Sequence, residues 1–464
     1  MRRGEKDPTH DVDHLGVPGN SAVVGCGSSR SAARTPMAGR RTPPPPSARG
    51  GGIVTWALPA IAGILLVFAA ISGRVAGTSV TAPMVFTVGG LVLGAQAAGL
   101  IDVEATSETV KLLAEVTLAL VLFSDAARVD PTALRAEISL PARLLGIGLP
   151  LTIAAGFGAA VLVLGDLSWP EALLLAVLLA PTDAALGQAV VTLPILPSRV
   201  RQGLNVESGL NDGICVPLFL IVLAIARAES GAIGGGAAVR LVTEQIGYGI
   251  VAGVGAGAVA AAVLILAGRH RTIDPLWVQI VPVAAATLAY TVAVPLGGSG
   301  FIAAFVGGLT FGAIRRRAEG EVSHLIDEAG DVFNAVTFIV FGAVLLSPAL
   351  GHLSWPVLAY AVLSLTVVRM VPVALSLLGT HARTPTLAFL GWFGPRGLAT
   401  IVFVILILEE PGTLPHEDLL LLTAVVTVGL SVLAHGVTAA PLADRYAAWF
   451  RRHPRPEQQP AHEA

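Results

Sequence analysis

The chain has 464 residues, 54% of them apolar and only 13% charged, with a mean hydropathy of +0.76. Soluble domains carry about 25% charged residues, so this composition excludes a water-soluble globular enzyme and a disordered protein, and predicts an all-α polytopic membrane protein. A net charge of −2 argues against a nucleic-acid partner, and the two cysteines, Cys26 and Cys215, stand in unrelated contexts that make neither a disulfide framework nor a zinc site.

Residues 1–50 form an Arg-, Ser-, Gly- and Pro-rich tail ending in a proline run at 43–46. That composition cannot bury a core and predicts disorder. From Ile53 onward, apolar runs of bilayer-spanning length follow one another closely. Thirteen are expected, at roughly 53–73, 81–100, 107–125, 141–164, 171–191, 204–226, 241–267, 275–295, 298–314, 331–350, 355–379, 386–408 and 418–440. The transmembrane domain is thus expected over 51–445, and 446–464 as a short charged tail without a large regulatory domain. No heme, iron–sulfur or nucleotide signature is present, so no cofactor is expected.

Sixteen arginines fall in the connections after the odd-numbered spans and in the C-terminal tail, while Lys111, Arg227 and Arg240 fall on the other side. The excess of positive charge puts the C-terminus in the cytoplasm, and an odd number of spans then puts the N-terminus outside. The Arg-rich N-terminal tail opposes this orientation, but the rule is strongest for short loops.

Ionisable residues inside the apolar runs carry the functional signal. Asp183 lies in span five, Glu207 and Asp212 in span six, Arg369 in span eleven and Arg396 in span twelve. Each costs ~2.5–3.5 kcal/mol at mid-membrane, so they must face one another or water. Glu207 and Asn211 are four residues apart, as are Ser208 and Asp212, which makes two adjacent stripes on one side of a helix. Together they offer oxygen ligands of the kind hard monovalent cations take, and a carboxylate in a wet cavity binds either a cation or a proton. A plainer reading of Glu207 and Arg369 is a buried ion pair holding two helices in register. One arginine cannot neutralise three acids, so Asp212 escapes that reading. Arg396 has two readings: a partner for an acid, or a support for broken backbone.

Pro181 interrupts span five, and Gly394-Pro395-Arg396-Gly397 interrupts span twelve. Proline removes a backbone donor, and broken backbone is not tolerated against lipid. Both breaks should therefore line an enclosed cavity. Seven spans separate them, so the two helices run in opposite directions, as inverted repeats with crossed, broken helices require. Lesser candidates are Asp125, a possible acid at the cavity mouth, Glu115, four residues from Lys111, and His435, a lone histidine read as a packing residue. The glycines of 247–257 read as close helix packing.

Thr182-Asp183 in a broken span, Glu207-Ser208-Gly209-Leu210-Asn211-Asp212-Gly213, Arg369, Gly394-Pro395-Arg396-Gly397-Leu398 and Val121-Leu122-Phe123 with Asp125 nearby together resemble the sodium/proton exchanger branch of the cation:proton antiporters. The resemblance covers about 53–445. It implies that Asp212 alternately holds cation and proton, with Ser208 and the backbone oxygen of Thr182 completing the ion shell and Asp183 supporting it. It also implies that Glu207 and Asn211 are tied to Arg369, and that the protein is a homodimer working by an elevator-like movement. A neutral Asn211, where electrogenic relatives carry a second aspartate, implies electroneutral exchange. Ala184 departs from the family pattern, in which a proline often follows Thr-Asp.

The expected function is exchange of Na⁺, with Li⁺ also possible, for H⁺ across the cell membrane; K⁺/H⁺ exchange is the alternative. A remoter alternative, an intramembrane aspartyl protease using Asp183 and Asp212 as a proton-sharing pair, leaves Glu207 and Arg369 without a role. An ion-sensing receptor lacks an output domain in this sequence.

Overall fold

The structure, a computed structural model, describes residues 54–453 apart from 76–77, 102, 130–138, 184–185, 187–195, 197, 318–324, 381 and 410–411. The expected disordered tail at 1–50, most of the C-terminal tail, Arg135 and Ala184 lie outside the described residues.

Helices account for nearly all of what is described. In chain order they are α1 (Val54–Val75), α2 (Ala82–Leu93), α3 (Glu108–Arg128) and α4, which joins Ser139–Arg143 through a π turn at Leu144–Gly148 to Leu149–Val163. Then come α5 (Trp169–Leu178), α6 (Ser198–Glu229), α7 (Gly235–Arg269), α8 (Pro275–Ala293) and α9 (Gly300–Arg317). Next, α10 (Leu325–Val340) runs into a second π turn at Phe341–Leu346, and Thr366 separates α11 (Trp355–Leu365) from α12 (Val367–Ser376). Last are α13 (Thr384–Trp392), α14 (Leu398–Leu408) and α15 (Glu417–Arg452).

Every predicted apolar run overlaps one of these helices or a pair flanking a break. Eight described helices are long and apolar enough to cross a membrane by themselves. The remaining runs fall short for three reasons: α2 is only 12 residues long, some are cut into half-helices, as at α13 and α14, and some carry charged ends, as α9 does in its last turn.

Local chemistry sets several starts. Ser107 accepts a hydrogen bond from Val110 N at the head of α3, with Glu108 in the first turn and Arg128 in the last, complementing the helix dipole. Ser168 and Glu171 form a capping box on α5. Asp274 caps α8 ahead of Pro275 in the first helical position.

Packing sorts the helices into two groups. The first joins α1–α3 with α7–α10, where α9 lies between α7 and α3. The second gathers α4–α6 and α11–α15. Helix α6 touches both groups, α14 packs on α3, and α15 reaches α2. Close approach in the first group depends on small residues: a Cβ on Gly253 would lie 2.5 Å from Ala303 O of α9 and one on Gly257 would strike Gly307 O. Gly249, Gly253 and Gly257 make this stripe, whereas Gly247 and Gly255 face open space, so the predicted packing face is one side of the run only.

Candidate ion-binding site at two broken helices

Helix α5 stops at Leu178 and the chain continues unwound through Ala180–Asp183, while α13 stops at Trp392 and α14 begins at Leu398. The two unwound pieces bond to each other: Asp183 N donates to Pro395 O at 2.8 Å, and Thr400 Oγ1 donates to Leu178 O at 2.8 Å. Charges finish the crossing. Arg396, completely buried, donates from Nη1 to Ala180 O at 2.8 Å and Pro181 O at 3.2 Å, placing a cation at the carbonyl end of α5. Asp183 accepts from Leu398 N at 2.8 Å through Oδ2 and from Leu186 N at 3.4 Å through Oδ1, placing an anion at the amide end of α14. Each break thus supplies the charge that the other's helix terminus attracts. Of the two readings of Arg396, support of broken backbone is the one this geometry matches.

Gly397 is required here, because a Cβ on it would collide with the Asp183 carboxylate. Gly397→Ala is expected to push Asp183 off Leu398 N and to destabilise the protein by about 1–3 kcal/mol. Thermal unfolding of the purified variant checks this; an unchanged midpoint would mean that the crossing has room the structure does not show.

Helix α6 brings four polar side chains to this crossing, all buried: Glu207, Ser208, Asn211 and Asp212. Ser208 Oγ donates a short hydrogen bond to Thr182 O, and the two hydroxyls lie 3.5 Å apart. Asn211 Nδ2 donates to Thr182 Oγ1 at 2.6 Å. Glu207 Oε1 and Arg369 Nη1 pair at 2.6 Å, with both side chains about 3% exposed. The Arg369 guanidinium also lies against Gly394, where a Cβ would strike it, so the pair links α6 and α12 to the second break.

Two expectations change in detail. Asn211 was expected to be tied to Arg369, but its amide bonds Thr182, because the unwound Ala180–Asp183 segment brings that hydroxyl within reach of α6. Lys111 pairs with Glu409 just beyond α14. For Lys111, a partner supplied by tertiary packing takes the place of Glu115, four residues along its own helix.

Asp212 has a buried Oδ1 with no hydrogen-bond partner among the described residues, and Asn211 Oδ1 is in the same condition. A native protein seldom leaves buried polar oxygens unpaired without a use for them. Asp212 lies within electrostatic reach of Asp183 and Asp125. Asp125, half-buried at the end of α3, packs on Gly209 of α6, its Cβ 3.1 Å from where a Cβ on that glycine would stand. The arrangement is a carboxylate, a hydroxyl and a backbone carbonyl of the unwound segment in a buried crossing, with a second acid against the neighbouring turn.

The description "Sodium/hydrogen exchanger, transmembrane" matches residues 62–445. The chain belongs to the sodium/hydrogen exchanger family. This is a family of secondary transporters, not enzymes, which removes the protease reading of Asp183 and Asp212. Among curated relatives, the K(+)/H(+) antiporter NhaP of Alkalimonas amylolytica is 27% identical over 78% of this chain and 61% of its own length. The K(+)/H(+) antiporter NhaP2 of Shewanella sp. (strain MR-4) is 26% identical over 72% of this chain and 58% of its own length. The chain therefore spans about three-fifths of the length of these relatives. The structure of the sodium proton antiporter MjNhaP1 from Methanocaldococcus jannaschii superposes with a TM-score of 0.69 at 19% identity, covering 84% of this chain and 99% of that one, which shows a shared fold.

Some residues at the crossing carry no motif. Ser431 Oγ on α15 accepts from Arg396 N at 2.7 Å and lies 3.2 Å from His435 Nδ1, and His435 Nε2 lies 2.9 Å from Trp392 O at the end of α13. His435 Nδ1 also lies 3.0 Å from Ser431 O, so both ring nitrogens are engaged, one by Ser431 on its own helix and the other by the Trp392 carbonyl. His435 is thus a satisfied packing residue that also fastens both sides of the second break to α15. The i, i+4 spacing of Ser431 and His435 was the available signal. Asp327 was also missed. From the first turn of α10 it accepts from Ser124 and pairs with Arg128, beside Asp125.

Proposed function

We propose that the chain exchanges one monovalent cation for one proton across the cell membrane, with Asp212 holding either ion in turn. The observation that carries this reading is the unpartnered, buried Asp212 oxygen beside Ser208 and Thr182. Asp212, Ser208 and the Thr182 carbonyl would supply the cation's oxygen ligands. Asp183 and Arg396 hold the broken helices open toward them, and Glu207, Asn211 and Arg369 fix the surrounding network. With Asn211 neutral, one charge crosses each way and exchange is electroneutral. The apolar runs and the paired breaks support thirteen crossings with inverted repeats, the excess of arginine on one side supports a cytoplasmic C-terminus and an extracellular N-terminus, and the resemblance to the exchanger family supports a homodimer working by an elevator-like movement.

Na⁺ is the first reading of the cation, with Li⁺ as a second substrate, because the site motifs resemble the sodium/proton branch. K⁺ is the second reading, favoured by the two bacterial relatives named K(+)/H(+) antiporters. Proton movement in inside-out vesicles from antiporter-deficient cells, with Na⁺, Li⁺ or K⁺ added in turn, decides between them. No response to any of these ions over the whole pH range would sink the proposal.

Competition for one carboxylate has a second signature. Below the site's pKa the apparent KM for the cation should rise about tenfold for each unit by which pH falls, because a proton must leave before the cation enters. Above it, the rate should fall as protons become scarce. A cation KM that stays constant between pH 6 and 9 would separate the two ions onto different sites.

A further inference from the structure

A cleft of about 480 Å³ lies between α12, α13 and α15. Its walls include Met370, Phe389, Trp392, Phe393 and Tyr446, and Arg445 stands among them. The volume falls within the ~300–1,000 Å³ of small-molecule sites. Phe389 stacks on Tyr446 with ring centroids 4.3 Å apart and tilts against Phe393 at 4.6 Å, so the apolar wall is built from rings that brace each other.

Arg445 lines the basic end of the cleft, and two more guanidiniums stand next to its border. Arg445, Trp449 and Arg452 follow one another at i, i+4 and i+7 along α15, which puts them on one face. Arg383 reaches the same place from the start of α13, its Cζ 6.0 Å from the Trp449 ring centre. None of Arg383, Arg445 and Arg452 makes an ion pair among the described residues. The α13 end of the cleft is wholly apolar, and the α15 end is cationic and bordered by tryptophan and tyrosine, side chains suited to the membrane–water interface.

We propose that this cleft binds an anionic phospholipid, with an acyl chain along the aromatic wall and the phosphate on Arg445, Arg383 and Arg452. Cations without acidic partners select the charge of the headgroup, and the apolar depth selects a lipid over a free anion. The seat adjoins the ion site at two points: Met370 follows Arg369, and Phe393 precedes Gly394. A bound chain would therefore brace α12 and the second break.

The test uses the full chain purified in neutral detergent, titrated with phosphatidylglycerol or with phosphatidylcholine of the same acyl chains. Thermal unfolding and native mass spectrometry are the readouts. Phosphatidylglycerol should raise the unfolding midpoint by several degrees in a saturable way and remain bound in the spectrometer, and phosphatidylcholine should do neither. Arg383→Gln with Arg445→Gln should weaken the phosphatidylglycerol response about 30-fold, at about fivefold per guanidinium. Ala388→Trp, which fills the cleft and leaves every arginine in place, should abolish lipid retention. Equal responses to the two lipids, a double variant that behaves as the parent, or a soluble glycerol phosphate that matches the lipid would each overturn the proposal.

Discussion

Asp212→Asn should give a folded protein that moves no protons in response to any cation. The amide has nearly the carboxylate's shape, but it cannot release a proton and carries no charge to hold a cation. Both half-reactions are lost together, so flux should fall by at least about 100-fold. Stability should move the other way. The carboxylate is 6% exposed and its Oδ1 has no partner among the described residues, so the parent bears a desolvated oxygen that folding alone does not reward. An asparagine there removes a buried charge, and the unfolding midpoint should stay level or rise. Vesicle flux with thermal unfolding on the same preparation checks both halves. Residual exchange above a few per cent would move the ion-carrying role elsewhere, to Asp125 or Asp183.

The site's membership was legible in the sequence because membranes make polar residues expensive. Charges at 183, 207, 212, 369 and 396 stand out against apolar runs, and each is buried at the crossing or on α6 facing it. The breaks were legible for a related reason: Pro181 and Gly394-Pro395-Arg396-Gly397 cannot continue a helix, and the helices stop at Leu178 and Trp392. What spacing could not supply was the pairing. Helical periodicity puts Glu207 and Asn211 on one stripe, yet Glu207 meets Arg369 while Asn211 meets Thr182, because neighbours four residues apart reach different elements of the fold. Asp183, expected to support the ion shell, is engaged through both oxygens by backbone amides, an outcome that depends on α14 beginning beside it. Asp327 went unseen because it lies in the polar first turn of α10, where the apolar run had not begun and an acid looks like an ordinary helix start.

Glu207 and Arg369 should prove expendable together and indispensable singly. Their pair is about 3% exposed on both sides, at 2.6 Å, but Arg369 Nε and Nη2 have no partners among the described residues. Glu207→Leu leaves a buried guanidinium without its ion-pair partner, and Arg369→Met leaves a buried carboxylate. Each single change should cost about 3–5 kcal/mol. Glu207→Leu with Arg369→Met removes both charges and keeps the volume roughly filled, so stability should return to within about 1 kcal/mol of the parent. The double-mutant cycle reads the coupling directly. It also separates a brace from a participant in transport, since neither residue touches the Asp212 oxygens in this arrangement. The double variant should exchange cation for proton with an apparent cation affinity within about threefold of the parent, the scatter expected for independent sites. A stable double variant that binds cation and fails to exchange it would make the pair part of the moving machinery. Single variants losing less than 1 kcal/mol would mean that water reaches the pair and that its burial holds nothing in register.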